Sequence, residues 1–100
     1  MNSRPNQIIT QICALLKEQL HPARIILFGS RAKGKNGRHA DFDFAIDGPA
    51  PSLTLERTLK EKADKISGLY KVELVYLDTV DEGFKKIVLN TGKVLYERRN

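Results

Sequence analysis

The stretch from Ile25 to Asp47 reads IILFGSRAKGKNGRHADFDFAID and decides the fold of this chain. It opens with a short apolar run, residues 25–28, whose length is typical of a buried strand. The run breaks at a Gly-Ser pair into a segment rich in Arg, Lys and Gly, after which Asp41 and Asp43 alternate with Phe42 and Phe44. This pattern predicts two neighbouring strands joined by a basic, glycine-rich connection.

The second run places Asp41 and Asp43 on one face of its strand and Phe42, Phe44 and Ile46 on the other. A half-buried strand with a solvated face would explain the alternation. It gives no reason, however, for two carboxylates close enough to repel each other. Because a divalent cation bound between them would remove that repulsion, we interpret both aspartates as candidate metal ligands.

Length and composition limit the classes of protein. The 100 residues, 41% of them hydrophobic, predict one domain over 1–100. The 17 Lys and Arg residues against 12 Asp and Glu give a formal net charge of +5, which favours anionic partners such as nucleotides, nucleic acid or an acidic protein surface. Cys13 is the only cysteine, which excludes an internal disulfide and a cysteine-based zinc site. With neither a membrane-length apolar run nor a signal-peptide pattern, we expect a soluble cytoplasmic protein.

Helical and strand-like patterns alternate along the chain. An apolar stripe at helical spacing predicts a first helix that ends near His21 and Pro22. Thr79 and Glu82 have the spacing of a capping box that opens a short third helix. The other predicted elements are a second helix capped by Ser52 and ended by Gly68, a strand over 71–77 and a short final strand over 94–96. The alternation predicts an α/β sandwich with a small mixed sheet packed with helices.

Gly29 and Ser30 begin a candidate phosphate-binding loop. Glycine allows the backbone to approach a ligand closely, a serine hydroxyl can bond a phosphate oxygen, and N–H groups at a helix start favour an anion. Residues 31–34 can form one helical turn, and Arg31 and Lys33 add positive charge at the same place. An ordinary turn is the alternative interpretation of such a pair.

Glu73 lies among apolar neighbours in the predicted third strand. A carboxylate there is costly unless it is paired or binds a cation, although a charge on an edge strand would also discourage aggregation. If Glu73 shares a face with Asp41 and Asp43, it is either a third metal ligand or the base that activates an acceptor hydroxyl. Two Mg²⁺ ions roughly 3.5–4 Å apart would then stabilise the attacking and leaving oxygens of a nucleotidyl transfer.

The string Leu27 to Gly34, LFGSRAKG, followed by Asp41-Phe42-Asp43, resembles the GSRAxG…DxD signature of the nucleotidyltransferase superfamily with the DNA polymerase β type of fold. At this length the chain is similar to a minimal nucleotidyltransferase, the MNT partner of MNT–HEPN toxin–antitoxin pairs. The resemblance covers the catalytic core, and the ending from Lys86 to Glu97 is also similar to that of the small members.

The resemblance implies a role for each matching residue. Gly29, Ser30 and the basic residue Arg31 would bind the phosphates of ATP, while Asp41 and Asp43 would hold Mg²⁺ and Glu73 would stand at the third carboxylate position. It also implies that the chain transfers AMP from ATP to a tyrosine of a HEPN toxin and so acts as its antitoxin. Larger members carry helical domains for their acceptors, so we expect a separate HEPN-domain subunit to supply the acceptor here.

Two alternatives remain beside this enzyme. A catalytically weak, nucleotide-binding subunit could neutralise its partner by contact alone, which the departures Ala40 for serine and Glu73 for aspartate would favour. Direct RNA binding through scattered basic residues is disfavoured because no aromatic platform is interleaved with them; these residues are Lys85, Lys86, Lys93, Arg98 and Arg99. The sequence leaves open a homodimer or a hetero-oligomer.

Overall fold

The computed structural model describes residues 3–29, 31–32 and 41–99. The predicted phosphate-site residues Ser30 and Lys33 lie outside this part of the chain, as do Gly34 and Ala40. Within it the elements are α1 (Arg4–Leu20), β1 (Arg24–Phe28), β2 (Phe42–Asp47), α2 (Leu53–Ser67), β3 (Val72–Tyr76), a 3₁₀ turn (Leu77–Thr79), α3 (Glu82–Thr91) and β4 (Lys93–Glu97). None of the described helices is long and apolar enough to cross a membrane.

The four described strands form one sheet in the order β3-β2-β1-β4. β1 runs antiparallel to both β2 and β4, whereas β2 and β3 are parallel and are connected through α2. The sheet is therefore mixed, and the predicted α/β architecture is confirmed. The two strands of the deciding stretch are its central pair, and β3 and β4 are its edges.

Each face of the sheet buries its own apolar cluster. Phe42, Phe44 and Ile46 are almost fully buried beneath α1 and α2, on the side that the sequence alternation predicts. Ala45 lies on the other face, where it packs with Ile26 of β1 and with apolar residues of the 3₁₀ turn and α3. Because side chains alternate along a strand, Phe42, Phe44 and Ile46 lie in the core beneath α1 and α2. Asp43 and Asp47 lie on the opposite face, which α3 covers.

The end of α1 and both ends of α2 follow their local sequence. α1 ends at His21, which takes a left-handed conformation (φ 48°) before Pro22. The Ser52 hydroxyl accepts the Leu55 N–H at 3.2 Å, and α2 ends at Gly68, as predicted. Short polar side chains cap a helix start by satisfying N–H groups that have no partner within the helix.

The predicted capping box at Thr79 is wrong. The residue that caps α3 is Asp81, whose Oδ1 accepts the Phe84 N–H at 2.9 Å. The Thr79 hydroxyl instead donates to the Tyr76 carbonyl oxygen at 2.7 Å and so closes the 3₁₀ turn. Both residues are good caps in isolation, and the turn that follows β3 decides between them because it engages the Thr79 hydroxyl.

Candidate active site

Gly29 and Asp43 lie against each other in the candidate site. Gly29 follows β1 directly, and Phe28 at the end of β1 is the register partner of Asp43 in β2. Gly29 has a φ of +78°, and a Cβ atom there would lie 2.5 Å from Asp43 Oδ2. A side chain at position 29 would therefore collide with this carboxylate, and only glycine lets Asp43 lie against the bare backbone.

Glu73 stands beside Asp43 across the parallel pair of strands. The two residues are register partners of β2 and β3, so their side chains leave the same face of the sheet. Asp41 precedes β2 by one position and, like Asp43, is partly exposed. The structure thus brings Gly29, Asp41, Asp43 and Glu73 to the end of the sheet where β1 finishes and β2 and β3 begin.

The electrostatics of Asp43 reflect this arrangement. Its pKa is raised above the ordinary value of 3.8, first by burial and then by the negative charges of Asp41 and Glu73. Lys71 acts in the opposite direction and lowers the pKa of Asp43. Burial and like charges destabilise the ionised form of such a carboxylate, and a bound cation would stabilise it.

Lys71 is a site residue that sequence reasoning missed. Its Nζ lies 3.3 Å from Glu73 Oε1, and its backbone carbonyl accepts the Phe42 N–H at 2.9 Å. The period-two spacing of Lys71 and Glu73 at the start of a strand was a signal that could have found it. The Glu73 side chain is 46% exposed and lies on an edge strand of the sheet. This is also the position expected of a charge that discourages aggregation.

The oxygen donors fit the hard cation Mg²⁺, which prefers carboxylates and commonly retains substrate phosphates as further ligands. Asp41 and Asp43 are the protein groups that would hold it. Among residues 3–29, 31–32 and 41–99, however, no group of three or more His, Cys, Asp or Glu side chains is arranged to hold a metal ion. The third-ligand role of Glu73 therefore stays a prediction, and Lys71 is its described ion-pair partner.

Arg31, one of the predicted phosphate-binding residues, lies against two aromatic rings. Its guanidinium carbon lies 3.9 Å from the ring centroid of Phe42 and 5.3 Å from that of Tyr70. Those two rings meet edge to face at 5.4 Å, and Phe42 points away from the face of Asp43. The contact with two aromatic rings holds Arg31, which belongs to the candidate phosphate loop, on the face of the sheet that α1 and α2 cover.

Comparison with known proteins assigns this chain to a family. The family model described as "Polymerase beta, Nucleotidyltransferase" matches residues 10–100. The chain belongs to this nucleotidyltransferase family. A relative from Haemophilus influenzae, named "Probable protein adenylyltransferase MntA", is 33% identical over 89 residues, which cover 87% of this chain and 78% of the relative. The chain is thus an MntA-like nucleotidyltransferase, and the predicted family is confirmed.

Solved structures show the same polymerase β-like nucleotidyltransferase fold. A crystal structure of a toxin–antitoxin with AMP-PNP is similar with a TM-score of 0.77 and 25% identity, over 90% of this chain and 73% of that one. The match to the complex of tri-AMPylated Shewanella oneidensis HEPN toxin with MNT antitoxin has a TM-score of 0.70 and 21% identity, over 96% of this chain and 74% of that chain. The predicted fold is therefore confirmed in its family as well as its class.

Proposed function

We propose that this nucleotidyltransferase transfers AMP from ATP to a tyrosine hydroxyl of a HEPN-domain toxin, in a reaction that needs Mg²⁺, and thereby acts as its antitoxin. The main observation behind the proposal is that the Asp43 carboxylate lies against the backbone of Gly29, with Asp41 and Glu73 beside it. This arrangement joins a candidate phosphate loop directly to a pair of candidate metal ligands.

The matched proteins supply the substrate classes. The Haemophilus influenzae relative is named an adenylyltransferase, one matched complex contains the ATP analogue AMP-PNP, and another contains an AMPylated HEPN toxin. These names support ATP as the nucleotide and a HEPN-domain protein as the acceptor. The names say nothing of a metal. The proposed Mg²⁺ is supported by the neighbouring carboxylates of this chain, Asp41, Asp43 and Glu73.

We assign each residue of the candidate site a role in this reaction. Gly29 and Ser30 bind the polyphosphate through backbone and hydroxyl groups, and Asp41 and Asp43 are the residues that would hold Mg²⁺ and so help to orient the substrate phosphates. When bound, Mg²⁺ supplies positive charge that stabilises the oxygens of the in-line displacement. Glu73 accepts the proton of the acceptor hydroxyl, whose oxygen bonds the α-phosphorus as the bond to the bridging oxygen breaks and pyrophosphate leaves.

Calorimetric titration with ATP tests the site first. We expect binding that requires both Mg²⁺ and the two aspartates, so that it disappears in the double variant Asp41→Asn/Asp43→Asn. The HEPN toxin of the matched Shewanella oneidensis complex is then offered as the acceptor, and mass spectrometry should show tyrosines carrying AMP. ATP binding that is indifferent to Mg²⁺ and to both aspartates would refute the proposed site.

Ser30→Ala is expected to weaken ATP binding by about 1 kcal/mol, which is the net value of one hydrogen bond. The loss is modest because the hydroxyl is one of several phosphate contacts. Calorimetry at fixed Mg²⁺ measures it, and Ser52→Ala, which removes the cap of α2 at a distance from the site, is the control. An unchanged affinity in Ser30→Ala would remove this residue from the phosphate loop.

A nucleotide-binding antitoxin that acts by contact alone is the second candidate. The ion pair of Glu73 with Lys71 favours it, because that contact engages the residue to which we assign the base. The acceptor assay separates the two functions. A contact antitoxin would suppress toxin activity equally well when Asp41 and Asp43 are both replaced by asparagine.

A further inference from the structure

Gly29 and Arg31, the two chain neighbours of Ser30, are both held against the start of β2. Gly29 lies against the carboxylate of Asp43, and the Arg31 guanidinium carbon lies 3.9 Å from the ring centroid of Phe42. Since successive side chains of a strand leave opposite faces, these two contacts are made on opposite faces of the sheet. Contacts on both sides of Ser30 therefore connect the candidate phosphate loop to β2.

Tyr70 supplies a second ring to the Arg31 contact from a different part of the chain. Its ring centroid lies 5.3 Å from the Arg31 guanidinium carbon, and it meets the ring of Phe42 edge to face, with the centroids 5.4 Å apart. A guanidinium within about 6 Å of an aromatic ring is attracted to it, and more strongly where water is partly excluded. Phe42 is fully buried, and Arg31 and Tyr70 are each partly buried. The two rings together therefore stabilise one position of the Arg31 side chain.

The turn that carries Tyr70 is itself held in place. Tyr70 lies between α2 and β3, where its N–H donates to the Ser67 carbonyl oxygen at 3.3 Å. The Ser67 hydroxyl donates back to the Tyr70 carbonyl oxygen at 2.8 Å, and Ser67 is only 1% exposed. The Tyr70 ring packs against the core cluster beneath α1 and α2. A residue outside every helix and strand thus has a defined place beside Phe42.

We propose that Phe42 and Tyr70 hold Arg31 and thereby position the candidate phosphate loop for ATP, an assignment that rests on the proposed function. Because the guanidinium lies on the face opposite Asp43, Arg31 stays on the two rings when ATP binds and does not contact the phosphates. Tyr70 is a positioning residue that acts on the nucleotide through Arg31. A binding loop that is already in place raises affinity, since less conformational entropy is lost when the ligand binds.

Calorimetric titration of ATP with Mg²⁺ into two matched variants tests the role of Tyr70. Tyr70 and Tyr96 both pack, partly buried, against the same core cluster, and Tyr96 also contacts a cation, since Lys17 Nζ lies 4.8 Å from its ring centroid. Tyr96 belongs to β4 and pairs with Ile25, away from the end of β1 that leads to Gly29. Tyr70→Leu should weaken ATP binding about fivefold, which corresponds to about 1 kcal/mol, while Tyr96→Leu should stay within about twofold of the parent. Equal ATP affinities in the two variants would overturn the proposal.

Two further variants separate positioning from a general effect on the fold. Tyr70→Phe keeps the ring and should bind ATP within about twofold of the parent. In an Arg31→Ala background, Tyr70→Leu should have no further effect on ATP affinity, because the residue through which Tyr70 acts is absent. Urea unfolding should show similar losses of stability in Tyr70→Leu and Tyr96→Leu. Additive effects of Arg31→Ala and Tyr70→Leu on ATP affinity would overturn the positioning role.

The contact itself is measured in the unsubstituted protein, so this part of the test does not depend on how a variant folds. Nuclear magnetic resonance should show nuclear Overhauser effects between the Arg31 side chain and the rings of Phe42 and Tyr70, both before and after ATP and Mg²⁺ are added. Loss of these effects when ATP binds would show that Arg31 leaves the rings, and would overturn the proposal.

The same titrations separate this proposal from the proposed function. ATP binding to the parent that is unaffected by Tyr70→Leu would reject the positioning role and leave the nucleotidyltransferase assignment standing. The absence of ATP binding to the parent in the presence of Mg²⁺ would overturn both assignments.

Discussion

Asp43→Asn is expected to reduce AMP transfer by about a hundredfold or more, the scale observed when one group that stabilises transition-state charge is removed. Asp43 is the carboxylate that contacts the glycine backbone and faces both Asp41 and Glu73. Asparagine has nearly the same shape but lacks the charge that a cation needs. A radiolabel transfer assay measures the loss, and near-normal transfer in the variant would remove Asp43 from the reaction.

The same variant should be more stable than the parent at neutral pH. Burial, and then Asp41 and Glu73, raise the pKa of Asp43, so the folded protein holds this proton more tightly than the unfolded chain does. Ionisation of Asp43 therefore costs stability as the pH rises from the ordinary pKa of 3.8 through the raised value. Urea unfolding should show the advantage of Asp43→Asn above this window and its disappearance below 3.8.

Asp47→Asn is the matched control on the same strand. Asp47 Oδ2 lies 2.7 Å from Arg24 Nη2, so its charge is paired rather than crowded by like charges. We expect this variant to lose stability at neutral pH and to keep its transfer activity. If Asp43→Asn were instead destabilised to the same degree as Asp47→Asn, the electrostatic description of the site would be wrong.

Gly29→Ala is expected to abolish ATP binding and to destabilise the fold. The new Cβ atom would lie 2.5 Å from Asp43 Oδ2, and the φ of +78° is a conformation that costs a residue with a side chain roughly 1–2 kcal/mol. Relief of the clash requires Asp43 to move from its place. Urea unfolding and calorimetry with ATP measure the two effects.

Gly68→Ala separates backbone strain from the collision. Gly68 also has a positive φ, of +65°, but a Cβ atom there would meet nothing within 4 Å. It should therefore lose stability through strain alone and bind ATP normally. Equal ATP affinities in Gly29→Ala and Gly68→Ala would show that the approach of Asp43 to residue 29 does not matter for the site.

Local patterns were sufficient for most of the fold. The apolar stripe predicts α1, the cap residues Ser52 and Gly68 predict the bounds of α2, and the alternation after Asp41 predicts which side of β2 is buried. The start of α3 was predicted wrongly because Thr79 and Asp81 are both good caps. Only the 3₁₀ turn, which engages the Thr79 hydroxyl, distinguishes them.

The site was less predictable because it depends on contacts between distant segments. Period-two spacing indicates which residues share a face of one strand, but the pairing of Asp43 with Glu73 depends on the sheet order. The rings beneath Arg31 come from β2 and from the turn between α2 and β3, so the number of basic residues in the sequence could not reveal this contact. The same holds for the contact between Lys71 and Glu73, which requires the side-chain conformation as well as the spacing.

The sheet order also has a consequence for how the site forms during folding. Gly29 and Asp43 lie on an antiparallel pair of strands that are consecutive in the chain, so they meet when a single local hairpin closes. Glu73 can join them only after the crossover through α2 has been completed, since β2 and β3 are parallel. Contacts between nearby segments generally form earlier because less chain entropy is lost. We therefore expect the contact of Gly29 with Asp43 to form early in folding and Glu73 to join it later.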